Sequence, residues 1–264
     1  MSEPNANPTS GFGLAGKRGL IVGIANEHSI AYGCAKAIRA QGGTIAATWL
    51  NERAWPFVEP LTQQLGADIV APLDVEEPGQ MESVFADIER RWGRLDFVLH
   101  AIAFAPAADL HGRVTDSSSA GFARAMDVSC HSFVRMARLA EPLMTNGGAL
   151  ITMSYYGAQK VIPNYGIMGP VKAALEAVVR SLAAELGPAG IRVHAVSPGP
   201  IRTRAASGIG EFERLLDDAA ARAPEHQLVT IDDVGAATAL LCSDAARALT
   251  GNVVFVDAGY HVMG

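Results

Sequence analysis

Short apolar runs alternate with longer helix-patterned segments along almost the whole chain, and no other feature limits its fold as strongly. Strand-like runs cover Arg18–Gly23, Thr44–Trp49, Asp68–Leu73, Leu95–Ala101, Ala149–Ser154, Ile191–Ser197 and Val253–Asp257. Helical patterns fall between them, over Ile30–Gln41, Pro56–Leu65, Pro78–Trp92, Ser119–Leu143, Val171–Leu186 and Asp232–Cys242. Beyond Arg18 the first run is apolar, as expected of a strand covered on both faces. Strands that alternate with helices in this order give a parallel sheet with helices on both sides, a doubly wound α/β fold. No linker or repeat divides the chain, so residues 14–264 read as one domain after a flexible lead-in over residues 1–13. The exception to the pattern is the stretch 198–230, which mixes Pro, Gly, Ala and charged residues without one period. It follows a strand's carboxyl end, where open α/β sheets bind ligands, and is expected to be a substrate-binding insert.

Bulk properties narrow the function. A net charge of −6 disfavours a nucleic-acid groove. Cys34, Cys130 and Cys242 are far apart and form no CxxC, which predicts buried reduced thiols and no metal site. Residues 1–10 are polar, and no apolar run is long enough to span a membrane; a cytoplasmic protein is expected.

The chemistry gathers at strand ends. After Gly23 comes a polar turn, Ile24–His28, and Ser29 stands as a candidate N-cap. Helix-start amides suit a pyrophosphate, and Gly23 and Gly33 would allow its close approach. The usual G-x-G-x-x-G is absent, so a dinucleotide turn and a plain crossover both remain open. Beyond the second strand, Glu52 could accept from a ribose hydroxyl, or Arg53 could meet a 2′-phosphate; the plain alternative is two solvated charges. Asp74 either accepts from an adenine amine or caps a helix. His100 reads as structural, and His28 as a phosphate contact or a solvated side chain. Tyr165 and Lys172 lie seven residues apart, close to two helical turns, which puts them on one helix face. A phenol can donate to an oxygen that becomes negative, and a fixed cation favours that charge. The alternative for Tyr155 and Tyr156 is aromatic packing at a strand end, and for Lys172 a solvated lysine.

With Gly23-Ile24-Ala25-Asn26-Glu27-His28-Ser29-Ile30-Ala31-Tyr32-Gly33 in place, the chain resembles the short-chain dehydrogenase/reductase superfamily. Within it, the chain is most similar to the bacterial NADH-dependent enoyl-[acyl-carrier-protein] reductases. Matching stretches run nearly end to end: Asp74-Val75, His100 to Pro106, Ser154 to Ala158, Pro163-Asn164-Tyr165, Met168-Gly169, Lys172-Ala173, Gly199 to Thr203, Ala205 to Ile209, Val229 to Gly235 and Leu241 to Asp244. The resemblance implies a Rossmann-like fold and reduction of a trans-2-enoyl thioester with NADH in fatty-acid elongation. It implies that Tyr165 donates to the enolate oxygen, Lys172 holds the nicotinamide ribose and Tyr155 orients the substrate. Gly23, Ile24, Ser29 and Ile30 would contact the cofactor phosphates and ribose, and Asp74 and Val75 the adenine. Ala101 and Ile102 would line the cofactor cleft, with Ile201 and Thr203 beside the nicotinamide amide. On the substrate side stand Ala103, Tyr155, Met168, Ala205, Ile209 and Phe212. The resemblance also implies a homotetramer.

Three departures from the family pattern stand out. Pro170 falls between Tyr165 and Lys172, so the helix must start late or kink. Glu211 and Glu213 occupy a region that is commonly basic in the family, and they would repel an acidic carrier protein, which leaves a coenzyme A thioester open as substrate. Pro224-Glu225-His226-Gln227 replaces a stretch that usually carries arginine. Arg53 leaves NADPH open as cofactor beside NADH. One rival reading is a short-chain reductase acting on ketones or 3-oxoacyl thioesters, but that branch places a serine where this chain has Thr152. The other is a dinucleotide-binding paralogue without catalysis.

Overall fold

The computed structural model describes residues 11–203 and 212–263. Its strands are β1 (Arg18–Val22), β2 (Thr44–Trp49), β3 (Ile69–Pro72), β4 (Phe97–His100), β5 (Gly148–Met153), β6 (Ile191–Pro198) and β7 (Val253–Val256). They form one sheet in the order β3-β2-β1-β4-β5-β6-β7, and every neighbouring pair is parallel. The helices are α1 (Ile30–Ala40), α2 (Trp55–Leu65), α3 (Gln80–Trp92), α4 (Ala107–Leu110), α5 (Ser119–Met126), α6 (Ser132–Ala140), α7 (Met168–Leu186), α8 (Phe212–Arg222) and α9 (Ile231–Cys242). The expected doubly wound α/β architecture is therefore present.

Consecutive side chains of a strand point to opposite faces, so a strand covered on both sides must be apolar throughout. Leu20 and Val22 of β1 join the core under α3, α6 and α7, together with Val98 and Leu150. Ile21, one residue along, joins the core under α1, α2 and α9, with Ile45, Leu99 and Ile151. Two differences from the sequence pattern bear on the site. The long helical stretch 119–143 is interrupted by a π-turn at Asp127–His131, and the insert 198–230 contains an ordered helix, α8.

Topology fixes where a ligand can enter. From β3 at one edge the chain crosses to β4, on the far side of β1. The segments leaving β1 and β4 therefore diverge and open a crevice at the carboxyl ends of the strands. No helix among the described residues is long and apolar enough to cross a membrane.

Candidate active site

A cavity of about 390 Å³ occupies this crevice. One end is walled by Gly23, Ala25, Ser29, Ile30 and Ala31, the turn after β1 and the start of α1. The middle is walled by Ala101 to Ala105, which leave β4, and the far end by Met153, Ser154, Tyr155, Tyr165, Met168 and Lys172. Ile201, Thr203 and Phe212 of the insert close one side.

The end of the cavity beside β1 follows from local geometry. Gly23 has φ of +113°, a backbone state that L side chains rarely adopt, and a Cβ there would collide with the carbonyl oxygen of Ala101. β1 and β4 can therefore meet closely at the cleft floor, where Ala101 N donates to Val22 O at 2.9 Å. Ser29 precedes α1, but its side chain does not cap the helix. Its hydroxyl donates to Asn26 O at 2.5 Å and accepts from Ala25 N at 3.3 Å, so it shapes the turn and leaves the first helical amides without a side-chain cap. Such amides, with the helix dipole behind them, suit a pyrophosphate. Gly33 serves another purpose than the one its position suggests. A Cβ there would strike Ile231 O, so this glycine permits close packing of α1 against α9.

At the other end, Tyr155 and Tyr165 meet edge to face with ring centroids 4.9 Å apart. Gly157 leaves room for this pair, since a Cβ on it would lie 2.5 Å from Cδ1 of the Tyr165 ring. Burial pushes the Tyr165 phenol well above the usual tyrosine range, and Tyr155 adds to that. Burial also raises the Tyr155 phenol, whose buried oxygen has no hydrogen-bond partner among the described residues. Lys172 is buried and donates from Nζ to Met153 O at 2.6 Å, so it is not a solvated lysine. Burial pulls its ammonium down to about 8, opposed by Cys130 and Glu176.

Tyr165 and Lys172 reach one cavity by a different route from the expected helix face. α7 begins at Met168, so Tyr165 precedes it, and Pro170 sits in its first turn, where an amide donor has no partner four residues back. The helix thus starts late and is not kinked by this proline.

His100 is fully buried between hydroxyls, 2.8 Å from Thr152 Oγ1 and 2.8 Å from Ser132 Oγ. Burial and the Lys172 charge drive it down to about 3, so it stays neutral as a structural residue. Ser129, in the π-turn, accepts from Phe104 N at 2.8 Å and donates to Phe104 O at 2.9 Å, pinning the middle wall. Pattern reading misses both clamps, because a π-turn leaves no periodic mark.

Several other expected residues lie elsewhere. Ile24 and Val75 are buried beside the cleft without lining the cavity. Asp74 does not cap α3, which starts six residues later; its Oδ1 accepts from Glu76 N at 3.0 Å in a local turn. Glu52, Arg53 and His28 are exposed. Glu213 is paired with Arg202, so its charge is partly neutralised. Pro224–Gln227 turns the chain out of α8: His226 takes φ of +51° and its amide donates to Ala223 O at 2.8 Å. Ala205, Ile209 and Glu211 lie outside the described residues. Phe104, Ala105, Leu110 and Pro198 to Pro200 also line the cavity.

Residues 23–261 match the family model described as enoyl-(acyl carrier protein) reductase. The chain is 48% identical over 251 residues to enoyl-[acyl-carrier-protein] reductase [NADH] 1 of Rhizobium meliloti, covering 95% of this chain and 92% of that one. It is 46% identical over 250 residues to the NADH enzyme of Haemophilus influenzae, covering 94% and 95%. Among solved structures, the Anaplasma phagocytophilum reductase in complex with NAD superposes with a TM-score of 0.92 at 47% identity, covering 95% of this chain and 96% of that one.

Proposed function

The chain belongs to the enoyl-(acyl carrier protein) reductase family, and from that premise we propose how its residues perform the reaction. The protein is an NADH-dependent oxidoreductase that reduces the 2,3 double bond of trans-2-enoyl-[acyl-carrier-protein] thioesters in fatty-acid elongation. The observation that carries the assignment of residues is the single cavity that runs from the β1–α1 turn to Tyr155, Tyr165 and Lys172.

The cleft fits the cofactor on this chain's own features: a glycine floor that a Cβ would fill, helix-start amides without a side-chain cap and a buried cation at the far end. Gly23, Ser29 and Ile30 hold the pyrophosphate side, Ala101 and Ile102 the floor, and Ile201, Thr203 and Lys172 the nicotinamide side. Ile24 and Val75 act as backing beneath the pocket, with Asp74 beside the adenine. Bound NADH supplies the hydride that reaches the substrate's β-carbon. As negative charge then grows on the thioester oxygen, the Tyr165 phenol donates a hydrogen bond to it. The raised phenol keeps its proton at neutral pH and so remains a donor. Lys172 keeps the local field positive. Tyr155 orients the thioester with a buried hydroxyl that has no hydrogen-bond partner among the described residues. Ala103, Met168 and Phe212 surround the acyl chain, and the family resemblance adds Ala205 and Ile209 to that set.

The 3-oxoacyl reading loses its support at Thr152. Its hydroxyl is buried and engaged with His100, away from the cavity. The acyl group arrives on a carrier protein, and the Arg202–Glu213 pair lessens the repulsion that Glu213 would otherwise present. The reading includes a homotetramer and a cytoplasmic setting; three buried free thiols support the latter.

NADH oxidation is the test, run with enoyl-carrier and enoyl-coenzyme A thioesters at low and high salt, and repeated with NADPH. Turnover on enoyl thioesters with NADH, and none on 3-oxoacyl thioesters, is expected. Activity on 3-oxoacyl thioesters alone would overturn the assignment.

A further inference from the structure

Glu176 lies one turn beyond Lys172 on α7 and is buried to 4% exposure, yet it does not line the cavity. Its carboxylate accepts from the Ser154 hydroxyl at 2.6 Å and from the Gln159 side-chain amide at 3.2 Å. Lys172 Nζ, meanwhile, donates to the carbonyl of Met153. Two side chains of α7 therefore grip successive residues, Met153 and Ser154, where the chain leaves β5 for Tyr155.

A buried carboxylate is costly unless it is both hydrogen-bonded and near a cation. Residues four apart on a helix are neighbours, which makes Lys172 the cation. The other groups around the ammonium are His100 on β4, Cys130 in the π-turn, and Tyr155 and Tyr165 at the same end of the cavity. Burial keeps each of these four uncharged at neutral pH. Among the described residues, Glu176 is thus the charge that faces the lysine.

We propose that Glu176 is a positioning residue for the reduction: it keeps Lys172 protonated in a dehydrated cleft and, through Ser154, sets the place of Tyr155. The proposal rests on the reductase reading above. Burial draws the ammonium down to about 8, opposed first by Cys130 and then by Glu176; the Cys130 thiol is uncharged at neutral pH, which leaves Glu176 as the charge that opposes it there. Without that carboxylate the lysine would lose its proton closer to neutrality, and the field at the developing enolate would weaken.

The test is the pH profile of kcat/KM for NADH-dependent reduction of a trans-2-enoyl coenzyme A thioester. In Glu176→Gln the alkaline limb should move down by roughly one pH unit, the lower end of what one opposite charge contributes. Glu176→Asp keeps a carboxylate but draws it back by one methylene, so its limb should move in the same direction by less. Ser154→Ala leaves the charge in place and should leave the limb where the wild type has it, while lowering kcat. A limb that stays put in folded Glu176→Gln or Glu176→Asp protein overturns the proposal. Lys172→Met in the same assay separates the two readings. If it retains wild-type turnover, the assignment of the cleft fails. If it is inactive while the Glu176 variants keep the wild-type limb, only the role of Glu176 fails.

Discussion

Replacing Lys172 with methionine should abolish reduction and yet make the protein harder to unfold. The ammonium titrates at about 8 in the fold and at 10.5 when solvated, a gap worth roughly 3 kcal/mol of penalty for holding the charge. Methionine fills similar volume without charge but gives up the hydrogen bond to Met153 O, a loss of about 1 kcal/mol. The attraction of Glu176 is already contained in that lowered value, so the net expectation is a gain of about 2 kcal/mol at neutral pH. Its pH dependence has a definite sign. The unfolded chain binds this proton more tightly than the fold does, so the penalty is complete below about 8 and fades as pH rises toward 10.5. The stability of wild type therefore climbs through that window, and the advantage of the variant shrinks. Urea unfolding of both proteins at about pH 7 and about pH 9.5 measures this, since other titrating groups cancel in the difference. A variant less stable than wild type at pH 7, or a difference that does not change with pH, would refute the reasoning.

Tyr165→Phe should lower kcat/KM by about 10²–10³-fold, the usual loss for one oxyanion donor, with unchanged NADH affinity by fluorescence titration. Gly23→Ala should fold less stably and weaken NADH binding at least tenfold by calorimetry, because its Cβ has to displace Ala101 O and its φ is forced. Pro170→Ala should change unfolding free energy by no more than about 0.5 kcal/mol and leave kcat intact, because a first-turn amide has no intrahelical acceptor to regain.

The sheet was legible in the sequence because burial on both faces leaves strands predominantly apolar, and the alternation with helices then admits one kind of sheet. The strand-end residues Gly23, Ala101 and Tyr155 were legible for the same reason: parallel order brings their carboxyl ends to one edge. Side-chain partners across that edge were harder to read. Gly33 and Ser29 sit at plausible ligand positions, but their neighbours, Ile231 and Asn26, are decided by helix packing and by a turn. A spacing of seven suggested that Tyr165 and Lys172 share a helix; the chain instead brings Tyr165 in from the loop before Met168. The resemblance carried the residue roles further than spacing alone did. It gave no sign of Glu176, whose environment depends on burial.

Adjacent tyrosines at the end of β5 tie the insert to the rest of the fold. Tyr155 turns into the cleft, whereas Tyr156 packs edge to face against Tyr260 and Phe255 on the other side. Tyr156 and Tyr260 form a small apolar cluster with Ala219 and Ala223, at and just beyond the end of α8. Tyr260 also donates to Asp218 at 3.3 Å, and the Arg222 guanidinium lies 5.5 Å from the Tyr260 ring centroid. α8 is thus anchored through its second half to the C-terminal segment, while its first residue, Phe212, lines the cavity.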